Sequence, residues 1–566
     1  MSLKPVFHQP PMLNLLRLPL APGQVRSNEP QARLLYRHLS RLCELQGGAS
    51  GIPECWEPLY LLAILSGEKE RAGELQAIID QGMGEQLTFL AIQEVVWRLR
   101  AGAVVFQHYP SAERLKVLMA GVRTLADRWD EVAACQPLMS SPADLAELLG
   151  WLFQASGAAG LLTLGTMLQQ AAMDWCSILA THQQTRDCLA DKEIRAYGAL
   201  LQQEDGNPAF PATYEMYTAH GEKLADAMRY TLWMGIMTGS KTQLNAARTG
   251  YERISKWHGA VGGGWREDCL LAGQSAHQGM DTAALGALCE GLAAQLMVTG
   301  GEWAISPLEL LVNNALSAAI GEESVFLLQR DNGLAAADLG QHRFAHPEQT
   351  PIHSLCRLAR GYVRYFSSTL MVTPQGAAWT MMAAGKYSLP CQEEQLVFTA
   401  SVDGEEGAWH SLRLSQGSPD AFRLEIYIPG WADCCTLDVN AGDQKSPAIG
   451  AWYTLEHPWV QGDGVHVQLE TSIRWEVGHR QGISFRRGNQ LLVMPFERGG
   501  ELPAVVLNED DGTWYFTPCA DWRKHEGVPV EIPVLPRVGE NHLELRLVPY
   551  GECLNRIALF PRGNPA

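Results

Sequence analysis

The stretch PIHSLCRLARGYVRYFSSTLMVTPQGAAWT, residues 351–380, holds the point at which the chain changes its period. Up to about residue 365 its apolar residues recur at intervals of three and four, the spacing of a helix with one buried face. From about residue 370 the period becomes two, the spacing of a strand.

The same helical spacing extends upstream to about residue 30. ARLLYRHLSRLCEL (32–45), WEPLYLLAILSG (56–67), ERLKVLMAGVRTLADRW (113–129), LAELLGWLFQASG (145–157) and GLLTLGTMLQQAAMDWCSIL (160–179) all carry it. Many of these segments end at glycine or a polar cluster and the next follows quickly, so antiparallel helix pairs are expected. No fixed-length repeat supports a regular solenoid. Two arrangements suit such pairs: an open stack, or a closed ring of hairpins, the (α/α)6 toroid. Downstream, FRLEIYIPG (422–430), CTLDVNAG (435–442), VHVQLETSIRW (465–475), NQLLVMPFE (489–497) and HLELRLVPYG (542–551) alternate between turn residues. Helices followed by strands, without alternation, predict separate α and β domains, the latter one or two β-sandwiches.

Composition excludes some functions. A length of 566 residues is too great for one core, and 46% hydrophobic with 19% charged residues is globular. The net charge of -18 argues against nucleic acid or an anionic membrane as the main partner, since both need clustered Lys and Arg. The 13 cysteines are odd in number and scattered, which fits reduced thiols better than a disulfide framework. Cys434 and Cys435 are expected to face opposite sides of a strand. Arg17 interrupts the apolar amino-terminal stretch, making a poor signal peptide, and no window reaches membrane-span length. A cytoplasmic protein is expected, with a homodimer as the prior for its assembly.

Several segments resemble one family in order along the chain. FRLEIYIPGWA (422–432), VNAG (439–442), WYTLEHPWVQGDGVHVQL (452–469) and LRLVPYGECLNRIALFP (545–561) are similar to the carboxy-terminal half of glycoside hydrolase family 127, the β-L-arabinofuranosidase-like group. In the helical half, CWEPLYLLAILSGEKE (55–70), AHGEKLADAMRYTLWMGIMTGS (219–240), KWHGAVGGGWREDCLLAG (256–273) and LMVTGGEWAISPLELLVNNALSA (296–318) resemble the same family. The resemblance implies an (α/α)6 toroid over residues 1–368, followed by β-sandwich domains over 369–480 and 481–566. It also implies a glycosidase acting on a small carbohydrate. In the family, a zinc-bound cysteine thiolate beside a glutamate and two further cysteines is the nucleophile, and an upstream glutamate is the acid/base.

The residues at those positions depart from the pattern. By spacing, the glutamate–X–cysteine tripeptide falls on Asp281-Thr282-Ala283 and the cysteine pair on His353-Ser354. The expectation is therefore a glycosidase without zinc or any other cofactor. A site rebuilt from Asp281, His353 and Cys356 or Cys289 is the alternative. Glu267, in a glycine-rich turn 14 residues before Asp281, takes the acid/base position, with Asp268 as its rival. Asp281 reads both as a helix N-cap and as a reagent, and His353 as hydrogen-bonding partner, base or ligand. Trp56, Glu57, Tyr214, His220 and Trp265 are the candidate substrate contacts. For His258, at a helix end, a structural role leads.

Two other functions fit the same residues. One is an inactive carbohydrate-binding or scaffold protein, which could lack paired acids in its cavity. The other is an epimerase or lyase in which His220 and His353 act on one substrate carbon.

Overall fold

The computed structural model describes residues 15–182 and 218–565, apart from breaks at 334–343 and 346–351 and others of four residues or fewer. Among the described residues twelve helices form the ring, with three short ones (Trp129–Ala134, Gln136–Met139 and Trp175–Thr181) beside them: α1 (Pro30–Leu45), α2 (Trp56–Ser66), α3 (Lys69–Gly84), α4 (Ile92–His108), α5 (Ala112–Asp127), α6 (Ala143–Ser156), α7 (Gly160–Ala171), α8 (Gly221–Thr238), α9 (Lys241–His258), α10 (Thr282–Gln295), α11 (Ile305–Leu311) and α12 (Ile352–Ser367). Short helical turns join some of them.

The even-numbered helices close a ring. Each packs on the next from α2 to α12, and α12 returns to α2. The odd-numbered helices lie outside them, each against its neighbour in the chain. That closure makes the unit an (α/α)6 toroid rather than an open stack. Burial follows the two positions. Outer α1 buries one stripe (Ala32, Leu35, His38, Leu39, Leu42 and Cys43), whereas every residue of inner α10 is buried, as a helix with neighbours on all sides must be.

Inner helices α10 and α12 cross at two glycines. A Cβ on Gly286 would lie 2.4 Å from the carbonyl of Arg357, and one on Gly361 would lie 2.5 Å from the Gly286 oxygen. Backbone cannot yield as a side chain can, so Gly286→Ala is expected to cost about 1–3 kcal/mol. A lowered thermal midpoint would register that cost, and an unchanged one would contradict the crossing.

The carboxy-terminal part is β structure. A six-stranded sheet runs Val25–Arg26, Gly385–Cys391, Glu394–Asp403, Trp409–Gln416, Gly464–Glu470 and Cys434–Val439. A four-stranded sheet runs Trp452–His457, Phe422–Tyr427, Gly376–Trp379 and Leu370–Thr373. Their inner faces meet where Phe398 stacks on Phe422 at 5.6 Å and both contact the buried Trp459. This is a sandwich. Cys434 is exposed and Cys435 buried, the alternation a strand imposes.

A third sheet orders Ile473–Val477, Ile483–Arg487, Gln490–Pro495, Arg556–Ile557 and Asn332–Gly333, with Val548–Pro549 beside its middle strand. Both β units thus take a strand from the helical part, Val25–Arg26 in one and Asn332–Gly333 in the other. No described helix is long and apolar enough to cross a membrane.

Candidate active site

A cavity of about 60 Å3 marks one mouth of the ring. First-turn residues line it: Glu57 of α2, Gln93 of α4, Asp144 of α6, Glu222 of α8 and His353 of α12. The inner helices therefore run parallel and begin here. Their unpaired N–H groups and positive dipole ends make this mouth favourable to carboxylates.

Glu267 is fully buried beside the start of α8. Its Oε1 accepts the Gly221 N–H at 3.0 Å and lies 3.0 Å from His220 Nδ1. Its Oε2 has no hydrogen-bond partner among the described residues. A Cβ at position 221 would come within 2.1 Å of that oxygen, so only glycine admits the carboxylate. Burial pulls the His220 imidazole down, but the adjacent Glu267 charge lifts it above the ordinary histidine value.

Asp281 ends a short strand, Gly279–Asp281, and opens α10. Its Oδ1 accepts the Ala283 and Ala284 amides at 2.8 and 3.2 Å, which is the geometry of an N-cap. Burial, followed by the charges of Glu267 and Glu222, pushes its carboxyl up to about 7. The cap is also a strained acid.

His353 reaches the same mouth with half of its side chain exposed. Nδ1 lies 2.8 Å from Glu54 Oε1 and Nε2 lies 2.8 Å from Glu222 Oε1. Burial opposes the charged form, yet Glu222 and then Glu54 raise it to about 9. Both ring nitrogens therefore donate, which leaves no lone pair for a metal or a proton. Burial also works against ionised Glu222, and His353 with Arg357 overrides it, holding Glu222 well below the usual carboxylate range.

Other expected contacts are placed elsewhere. Trp56 is buried under the Arg98 guanidinium, 5.1 Å from its ring, with Gly82 against its edge. Trp265 is buried near Tyr251 and donates to Ser255 Oγ at 3.0 Å. Neither ring faces the mouth. Glu57 lines it but is held by two 2.7 Å bonds from Arg100. Tyr214 and the side chain of Asp268 lie outside the described residues. His258 is structural: Nδ1 accepts the Gly273 N–H at 2.9 Å, and burial lowers it to about 4.

Sequence reasoning missed Glu222 and a lattice of charges across the ring. Each inner helix supplies part of it: Glu57, Arg100, Asp144 and Glu147, Asp226 and Arg229, Glu290, and Arg357, Arg360 and Arg364. The signal was present as charged residues at helical spacing inside otherwise apolar helices, namely Glu222, Asp226 and Arg229 on α8 and Arg357, Arg360 and Arg364 on α12. Beyond the lattice lies a chamber of about 590 Å3 that includes Trp151, Trp233 and Val363. Glu57 and Arg360 line both cavities.

No protein-family profile matches the sequence. No curated protein matches it either. Solved structures do. A glycoside hydrolase aligns at TM-score 0.72 and 14% identity over 97% of this chain and 98% of its own. A GH127 beta-arabinofuranosidase aligns at 0.61 and 12%, over 97% and 98%. A GH127 beta-L-arabinofuranosidase from Geobacillus stearothermophilus T6 aligns at 0.60 and 13%, over 95% of each chain. The fold is that of the family 127 glycoside hydrolases.

The zinc expected of the family 127 fold does not fit the donors present. Ala283 offers no ligand atom. Cys356 Sγ faces Cys55 Sγ at 3.8 Å, and Cys289 Sγ donates to the Gly361 carbonyl at 3.1 Å. Among the described residues no three His, Cys, Asp or Glu side chains converge to hold a metal.

Proposed function

We propose that the protein is a glycoside hydrolase that cleaves a small glycoside or oligosaccharide with paired carboxyl groups and without a zinc-bound cysteine nucleophile. The observation that carries this reading is Asp281, whose carboxyl is pushed up to about 7 beside Glu267 and Glu222. Glycoside cleavage requires an acid that is still protonated near neutrality and a second polar group facing the anomeric centre.

Protonated Asp281 delivers its proton to the leaving glycosidic oxygen as the bond from the anomeric carbon breaks. Glu267, sealed from water beside it, supplies negative charge that favours the oxocarbenium-like centre in a low-dielectric setting. Water then adds to the anomeric carbon and gives its proton to the Asp281 carboxylate, which restores the acid. His220, in contact with Glu267 and partly open, holds a substrate hydroxyl in this reading. The imidazolium of His353 adds positive charge near the rim. These roles reverse the assignment from spacing, in which Glu267 was the acid/base.

The test is a panel of aryl glycosides and oligosaccharides, assayed with wild type, with Glu267→Gln and after chelation. Turnover is expected to fall about a hundredfold or more in Glu267→Gln and to survive the chelator. Full activity of Glu267→Gln would remove that residue's role. Loss of activity on chelation would restore a metal mechanism, and no turnover on any compound would favour the non-catalytic alternative.

A further inference from the structure

A separate cavity of about 700 Å3 lies where the toroid meets both β units. Its walls come from the start of α1, from α11 and the turn after it, from the last turns of α12, and from strands and loops of the two β parts. It shares no lining residue with the mouth.

Glu309 is its central polar group. The residue is 3% exposed and lines the cavity. Its Oε2 accepts the Trp431 indole N–H at 2.8 Å, and among the described residues its other oxygen has no partner and no cation pairs with it. Glu29 lines the same space, also without a paired cation among the described residues. Burial raises both carboxyls, Glu309 to about 7. A buried carboxylate without a counter-ion is costly, and a cationic ligand would remove that cost.

The walls fit a cation as well. Trp431, Tyr362, Tyr365 and Phe366 present aromatic rings to the cavity, and aromatic faces attract ammonium groups. The site is also held firmly. Residues Val312–Leu316 form a π turn, an uncommon feature that recurs at functional sites. Asn314 in that turn donates to the Asn489 carbonyl at 2.9 Å and accepts the Leu491 N–H at 2.9 Å. This ties down the hairpin whose Gly488 backs the Trp431 ring.

The geometry points to a binding site for an organic ammonium ligand, an amine held by the carboxylate of Glu309 among the rings of Trp431, Tyr362 and Tyr365, with Glu29 lining the same cavity. Arg487, His410 and Glu552 also line the cavity, and the Glu309 charge acts on Tyr365 and Tyr427. None of these belongs to the proposed catalytic mouth, so the site stands whether or not the hydrolase reading does.

The experiment is calorimetric titration of the full chain with 1,4-diaminobutane, with neutral 1,4-butanediol as the matched control. The diamine is expected to bind and the diol not to. Glu309→Gln should weaken the diamine at least tenfold, while Glu252→Gln, an exposed change of equal charge, should leave it unaltered. Sign and size of the pH effect follow from linkage. Binding favours ionised Glu309, so affinity rises with pH up to about 7 and levels above it. The expected loss between pH 8 and pH 6 is about tenfold. That profile and the diol comparison use wild type alone, so they decide the matter even if Glu309→Gln does not fold. Equal binding of diol and diamine, equal affinity in Glu309→Gln and Glu252→Gln, a flat profile from pH 6 to 8, or no diamine binding would each overturn the proposal.

Discussion

Asp281→Asn is expected to lower kcat/KM about a thousandfold, within the range for loss of a general acid, while the fold remains intact. Asparagine caps a helix about as well as aspartate, so the bonds to the Ala283 and Ala284 amides persist. What disappears is the proton held near neutrality by burial, Glu267 and Glu222. Asp281→Ala removes both functions and should cost a further ~1 kcal/mol of stability. The wild-type pH profile gives an independent check. The acid must be protonated, so kcat/KM should be sustained below about 7 and fall as pH rises through that value. An active Asp281→Asn enzyme, or a profile flat from pH 6 to 8, would reduce Asp281 to a cap.

Arg229→Met is expected to destabilise the toroid by about 3–5 kcal/mol, the usual result of removing one side of a buried ion pair. Arg229 is fully buried, donates to Glu147 at 2.6 Å and to Asp226 at 3.1 Å, and sits 2.5 Å from Asp144 and 3.6 Å from Glu290. Without it those carboxylates are left facing one another.

The pH dependence is distinctive. Burial alone would raise Glu147, but Arg364, Arg229 and Arg100 hold it down at about 2, and Asp144 and Asp226 are likewise depressed. Depressed carboxyls stabilise the fold above their unfolded values near 4, and that stability is lost as pH falls from there toward 2. Wild type should therefore lose stability steeply below pH 4. Arg229→Met should start lower at pH 7 and decline less on acidification. Thermal midpoints across that range would show it, and parallel curves for the two proteins would count against the lattice.

Both effects bear on what could be read in advance. The switch from helix to strand after residue 367 was legible because periodicity is local: residues 352–366 repeat at helical spacing, and the strands after 370 alternate. The cap at Asp281 was legible for the same reason, since an acid before a run of small apolar residues satisfies the first amides of its own helix. The partners of Glu267, the other acid of the site, were not. Glu267 lies 46 residues from the Gly221 amide it accepts and answers to no local pattern.

Trp56 and Trp265 show the limit from the other side. Both are aromatic and stand close to expected site residues, yet they pack between helices. A periodic pattern tells which face of a helix is buried, not whether that face meets a cavity, a neighbour or a row of charges.

The sequence by itself determined the order of helices and strands and the cap at Asp281, because each is governed by residues within a few positions of one another. Only the tertiary structure decided that the helix pairs close into a ring, that the charges of Glu267 and of Glu222, the acid His353 contacts at the mouth, act on Asp281, and that Arg229 sits among four carboxylates. Those outcomes depend on charges and surfaces from distant helices meeting in a space without water, where a change of a few ångströms alters the energy more than any local preference does.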